Sequence, residues 1–202
     1  FGFCPRPQNA LYGPEIIFKH LDAILDQVLD APSVGLIGAS MGGAISMEVA
    51  RRHPKKVKRL LLLSPAGLMD KPRPIPRLLD QLGVWFLSRP EVRRALCRQA
   101  FANPDVSVGD SENQIASIHL QVPGWDQSLA AFARSGGIAN LGLPIPNQPI
   151  DVIFGSNDRI LSRKQKNDVR ALFQSNVEEI KDCGHLPHLD CPEKVAQTWL
   201  RV

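Results

Sequence analysis

The spacing of hydrophobic residues changes several times along this chain of 202 residues, and each change marks an element. Gly13-Pro14 opens a run in which Ile16, Ile17, Leu21, Ile24, Leu25, Val28 and Leu29 recur at helical spacing until Ala31-Pro32 stops it, which predicts an amphipathic helix. Ser33 to Ala39 is a short apolar run with no polar alternation, the pattern of a strand buried on both faces of a parallel sheet. The period turns helical again from Met41 to Arg52, with Ala44, Ile45, Met47, Val49 and Ala50 apolar, and His53-Pro54 closes the helix. Val57 to Leu63 is a second buried run, bounded by charge before it and Ser64-Pro65 after it. Strand, helix and strand in this order form a βαβ unit.

The rhythm breaks after Gly67, where Pro72, Pro74 and Pro76 crowd together. Helical patterns at residues 78–87, 92–101 and 129–134 then follow without a strand, up to the proline-rich loop Leu143 to Pro149. This reads as a helical insertion over residues 68–148, a lid on a core built from 1–67 and 149–202. The α/β pattern resumes with a strand at Ile150 to Phe154, a helix at Ser162 to Phe173, a short strand at Val177 to Ile180 whose Glu178 and Glu179 suit a sheet edge, and a helix at Pro192 to Leu200. Alternating strands and helices predict the α/β class, a mostly parallel sheet with helices on both faces.

Composition narrows the function classes. At 44% hydrophobic and 22% charged residues, the chain can bury one sizeable core, and no apolar run approaches the length of a membrane span. The net charge of +4 comes from dispersed basic residues without the interleaved aromatics that stack bases, so it argues for a solvated surface and against nucleic acid. Cys4, Cys97, Cys183 and Cys191 form no C-x-x-C pair, and no signal peptide precedes them, so reduced, buried thiols in a cytoplasm are expected. The chain opens at Phe1 without an initiator Met, and Phe1 to Pro7 reads as an irregular loop.

Chemistry enters at Gly38-Ala39-Ser40-Met41-Gly42, a G-x-S-x-G pattern. The pattern is common by chance, but here the serine falls on the turn between a buried strand and a helix. That context holds a nucleophilic hydroxyl out from the sheet edge; a serine that merely caps the helix is the competing reading. A serine hydroxyl needs a base oriented by a carboxylate, expected on such a fold in the order serine, acid, histidine. His185, in Cys183-Gly184-His185-Leu186-Pro187 after the last short strand, is favoured as the base, with His188 as its rival; His20, His53 and His119 have ordinary structural readings. Asp158, in Phe154-Gly155-Ser156-Asn157-Asp158, follows a strand at its carboxyl end, where open α/β sheets place their sites. Asp151 begins that strand at the opposite edge, and Asp182 and Asp190 flank the histidine.

The segments G-A-S-M-G-G, F-G-S-N-D and C-G-H-L-P-H-L-D-C-P-E-K-V resemble the nucleophile, acid and histidine blocks of the α/β-hydrolase superfamily, in its esterase and carbon-carbon hydrolase branches. The resemblance spans nearly the whole chain. It implies that Ser40 attacks an acyl carbonyl, that His185 transfers the proton, that Asp158 orients the imidazole, and that the Met41 N–H is one oxyanion donor. It calls for neither cofactor nor metal and implies a small-molecule substrate with an apolar acyl part. Epoxide hydrolases and haloalkane dehalogenases share the fold but use a carboxylate nucleophile, which Ser40 argues against. A non-catalytic binding protein that keeps the fold is the alternative of a different class.

Two departures from the family pattern stand out. Arg159-Ile160-Leu161 follows the acid where the branch usually has a proline two or three residues on. No His-Gly pair occurs, although members carry an H-G loop supplying a second oxyanion donor, and F-G-F-C-P-R-P resembles the segment after the fourth strand. The expectation is a chain that begins partway through the domain and leaves a central strand with an unpaired edge. Within the insertion, Leu78, Leu82, Trp85, Phe86, Trp125, Leu129 and Phe132 are expected mainly to pack the lid onto the core, with lining of an acyl pocket as the alternative. Arg73, Arg77, Arg89, Arg93, Arg94 and Arg98 read as a solvated face.

Overall fold

In the computed structural model, which describes Cys4, Arg6 and residues 10–201 apart from the side chain of Leu78, four strands form one parallel sheet. They are β1 (Val34–Ala39), β2 (Val57–Leu63), β3 (Ile150–Gly155) and β4 (Val177–Ile180), in spatial order β1-β2-β3-β4. The register runs Ala39 beside Leu63, Leu63 beside Ile153, and Ile153 beside Glu178, so all four carboxyl ends lie along one edge. Of the N-terminal loop read at Phe1 to Pro7, all but Cys4 and Arg6 lies outside the described residues.

The continuous apolar run Leu60 to Leu63 follows from the two-residue period of a strand covered on both sides. Leu60 and Leu62 point into a cluster with Val152 and Phe154 of β3. Phe18 of α1 (Pro14–Ala23), Met47 of α2 (Met41–Arg52) and Val169 of α8 (Arg163–Phe173) complete it. Leu61 and Leu63 point the other way, against Ile153, Ile180 and Val195 of α10 (Pro192–Leu200). All four leucines are essentially inaccessible, and each contributes about 1.5–3 kcal/mol by burial. Helices on both faces of a parallel sheet are as expected.

β1 departs from its expected burial. It pairs with β2 alone among the described strands, and Ile37 is 49% exposed. The apolar run is thus an edge strand here, because one flank has no neighbour among the described residues. Helix α1 continues as a π-helical turn, Ile24–Val28. At the amino edge Arg59 grips β3 through Asp151 at 2.7 Å, donates to the Trp199 and Thr198 carbonyls, and lies over the Trp199 ring at 4.9 Å.

Between β2 and β3 the chain forms α3 (Arg77–Ser88), α4 (Pro90–Ala100), α5 (Pro104–Ser107), α6 (Asp110–Ser117) and α7 (Trp125–Arg134). The sequence pattern anticipates α3, α4 and the second half of α7, but misses the short α5 and α6, which carry too few apolar positions to show a period. Helices α3 and α7 share a small core of Val84, Trp125 and Ala130. Leu82 and Phe86, expected to pack this segment onto the core or to line a pocket, instead face outward at 59% and 52% exposure, and Trp85, expected to do the same, is 56% exposed at the rim of a surface cavity with Gln81 and Trp125. No helix among the described residues is long and apolar enough to cross a membrane.

Candidate active site

Strand β1 ends at Ala39, and the next residue, Ser40, has a left-handed backbone at φ 51°, ψ −120°. A non-glycine residue there is strained and persists only when its surroundings hold it. Its N–H donates to the Leu63 carbonyl at 2.8 Å, and its carbonyl accepts from Ala66 and Gly43 at 3.0 and 2.9 Å. The turn is tight because of two glycines. A Cβ on Gly38 would stand 2.4 Å from the Gly42 carbonyl oxygen, and one on Gly43 would stand 2.6 Å from Pro65. Gly42, the last residue of the pentapeptide, has nothing within 4 Å of its would-be Cβ, so the close approach rests on Gly38 and Gly43.

Strand β2 is also followed by a left-handed serine, Ser64, at φ 43°. Its hydroxyl is fully buried and has no partner among the described residues, whereas Ser40 is partly exposed. Of these two strand-end serines, Ser40 is the accessible one. Met41 begins α2, where first-turn N–H groups have no intrahelical acceptor, and among the described residues its N–H makes no hydrogen bond.

The ends of β1 and β4 are three strand spacings apart, roughly 14 Å, so a histidine following β4 must fold back across β3 to approach Ser40. Two glycines make this possible. A Cβ on Gly155 would lie 2.1 Å from the Gly184 carbonyl oxygen, and one on Gly184 would lie 2.4 Å from the Ala100 carbonyl oxygen. The Asn157 N–H donates to Cys183 at 2.8 Å and the His185 N–H to Ala100 at 2.7 Å. Asp190, on the short helix α9 (Pro187–Asp190), accepts from both Gly184 and Ala102 N–H at 2.6 and 2.8 Å, tying the histidine loop to the end of α4. Arg159 donates to the Phe101 carbonyl at 2.6 Å, bracing the same place. Neither role is visible in the sequence, because the groups they grip are backbone atoms, which leave no mark on residue type.

This loop brings His185 and Asp158 into contact, with Nδ1 at 2.9 Å from Oδ2 and both side chains buried. The other oxygen, Oδ1, accepts from the Ile160 and Leu161 N–H groups at 2.8 and 3.1 Å. A proline at position 160 or 161 would remove one of these donors, so the departure from the family pattern supplies a hydrogen bond. Burial pushes the Asp158 carboxyl up. The hydrogen bonds from His185, Leu161 and Ile160, with the imidazole charge, outweigh it and hold the group below the usual carboxylate range. Among the described residues Ser40 Oγ makes no hydrogen bond with His185, which is common before substrate is bound.

The other candidates are elsewhere. His53 pairs with Asp22 at 2.8 Å and Asp151 with Arg59. His119 packs near Trp125 and is held below its ordinary range by burial and by Arg93 and Arg6. His188 is pushed down by burial and by nearby His185, and its Nδ1 is buried without a partner among the described residues. All four cysteines are free, but only Cys183 is buried, and burial pushes its thiol far up; Cys4 is exposed, contrary to the expectation of buried thiols.

Comparison with known proteins agrees with this architecture. The profile of the alpha/beta hydrolase family matches residues 6–198. A 2-hydroxy-6-oxo-2,4-heptadienoate hydrolase from Pseudomonas putida is 44% identical over 197 residues, covering 92% of this chain and 68% of the relative. A 2-hydroxymuconate semialdehyde hydrolase from Pseudomonas sp. CF600 is 28% identical, covering 94% of this chain and 68% of its own length. The solved structure of a meta-cleavage product hydrolase from Pseudomonas fluorescens IP01 superposes with a TM-score of 0.77 at 17% identity, over 98% of this chain and 74% of that one. This last likeness concerns the fold alone.

Proposed function

Because the chain belongs to the alpha/beta hydrolase family, we propose that it is a serine hydrolase that cleaves an ester or related acyl bond through an acyl-enzyme on Ser40. The observation that carries this reading is the buried His185–Asp158 hydrogen bond, formed at the sheet edge where a strained, accessible serine follows β1.

In this mechanism Asp158 accepts the Nδ1–H of His185, leaving Nε2 as the base. As Ser40 Oγ attacks the carbonyl carbon, its proton passes to Nε2 and the carbonyl oxygen becomes an oxyanion. The free Met41 N–H is the donor proposed for that oxyanion, and such a donor contributes about 3–4 kcal/mol to the transition state. The imidazolium then protonates the leaving group. Water, deprotonated by the same imidazole, attacks the acyl-enzyme and releases the acid. Residues 68–148, containing α3 to α7, form a lid over this edge. The Ala100 carbonyl, which accepts from His185 N–H, links it directly to the proposed base.

A second reading keeps the same three residues and cleaves a carbon-carbon bond beside a ketone. It is favoured by the names of the two relatives above. Turnover of p-nitrophenyl esters against turnover of 2-hydroxy-6-oxo-2,4-heptadienoate separates the two. For both, a fluorophosphonate probe should label Ser40, and Ser40→Ala should abolish the labelling. A folded chain that takes up no probe would sink the enzymatic reading in favour of a binding protein.

A further inference from the structure

Helix α3 is amphipathic in the reverse sense to a packed helix. Its buried side carries Asp80, with Val84 as the apolar contact toward α7 and Leu87 and Ser88 half-buried. The Asp80 side chain is fully buried and forms an ion pair with Arg134 of α7, which fixes this orientation. Leu79, Leu82 and Phe86 fall on the opposite arc, at intervals of three and four, and Trp85 lies at its flank, beside Gln81 on the rim of a surface cavity; each of the four is more than half exposed. A Cβ added at Gly83, on the same side, would meet nothing within 4 Å. Exposed Met69 and Ile75 extend the apolar surface along the strap before the helix.

The polar groups around this stripe are mostly cationic. Exposed Lys71 and Arg73 precede it, Arg77 begins the helix, and Arg89 follows it with its guanidinium 5.2 Å above the Trp85 ring. Of the nearby carboxylates, exposed Asp126 shares a cavity with Arg77 and Trp85, and the others are largely withdrawn. Asp80 is buried against Arg134, and Asp70 accepts from Gly67 N–H and Gln165; Glu91 lies 4.0 Å from Arg89 with both side chains well exposed. A helix with leucine, phenylalanine and tryptophan on its open face and a cationic rim matches the chemistry of an anionic lipid surface.

We propose that α3 and the preceding strap form an interfacial anchor that lies on an anionic membrane surface, with Leu79, Leu82 and Phe86 immersed and Lys71, Arg73 and Arg89 at the headgroups. This goes beyond the proposed hydrolysis and does not depend on it. The test is co-sedimentation of the full chain with vesicles of phosphatidylcholine alone and of phosphatidylcholine mixed with phosphatidylglycerol, alongside a sizing column without vesicles. Binding to the anionic vesicles, with a blue shift of tryptophan emission, is expected. Leu82→Gln and Phe86→Gln should each weaken partitioning about tenfold. Lys71→Gln and Arg73→Gln should each weaken it about fivefold on anionic vesicles only. All four positions are solvent-exposed, so the thermal midpoint should not move. A folded chain that ignores both kinds of vesicle, or binds as well after Leu82→Gln with Phe86→Gln, would overturn the proposal. So would a dimer on the sizing column that this double substitution dissociates, since the face would then belong to a second copy.

Discussion

Asp158→Asn probes the proposed chemistry with little change of shape. The carboxylate has two oxygens with separate duties: Oδ1 holds the Ile160 and Leu161 N–H groups, and Oδ2 holds His185 Nδ1. An amide has one acceptor oxygen. Keeping it at the Oδ1 position satisfies two buried N–H groups, whereas the flipped amide would satisfy one imidazole and strand both, at about 1–3 kcal/mol each. The NH2 therefore faces His185, whose Nδ1 must become an acceptor. The proton then sits on Nε2, and the base has no lone pair for the Ser40 proton. A tautomer error of this kind lowers kcat about 10⁴-fold, which corresponds to about 5–6 kcal/mol of barrier. The folded state keeps most of its hydrogen bonds, so the thermal midpoint should fall far less than in Asp158→Ala, which strands all three donors. Initial rates on a p-nitrophenyl ester and a thermal melt on the same samples test this. A folded Asp158→Asn protein with kcat within tenfold of the parent would refute the assignment of Asp158 as the orienting acid.

Other outcomes follow from the same geometry. His185→Ala should reduce ester turnover at least about 10⁴-fold while His188→Ala leaves it within a few fold, and the reverse result would move the role of base to His188. Gly38→Ala should destabilise the fold by about 1–3 kcal/mol because its Cβ meets a backbone oxygen that cannot retreat, while Gly42→Ala, opening onto free space in a helix, should be neutral or stabilising by about 0.5–1 kcal/mol; equal thermal midpoints would contradict this. Since the Asp158 carboxyl is held below its unfolded value, its contribution to stability is present in full above about pH 4 and is lost as pH falls through the folded-state value. Denaturant midpoints from pH 6 downward should therefore lose less in Asp158→Asn than in the parent, and parallel declines would argue against a paired carboxylate.

The sequence by itself determined the period of each long element and the order of the three candidate chemical groups. β2 was legible because a strand covered on both faces must be apolar at every position, and α2 and α8 because one buried face leaves a helical repeat. The candidates Ser40, Asp158 and His185 were legible because each falls in the connection after a strand, and in a parallel sheet every strand ends at the same edge. Tertiary structure alone decided how these ends meet. The contact between His185 and Asp158 depends on Gly155 and Gly184 letting one loop cross another, and on Asp190 and Arg159 gripping backbone groups of Ala100 to Ala102. Backbone partners leave no mark on residue type, so sequence cannot announce them. Orientation was decided there too. The apolar positions of α3 have an ordinary helical period, and the buried Asp80–Arg134 pair with the Val84 contact toward α7 turned Leu79, Leu82 and Phe86 outward to solvent, where a period alone would have placed them inward.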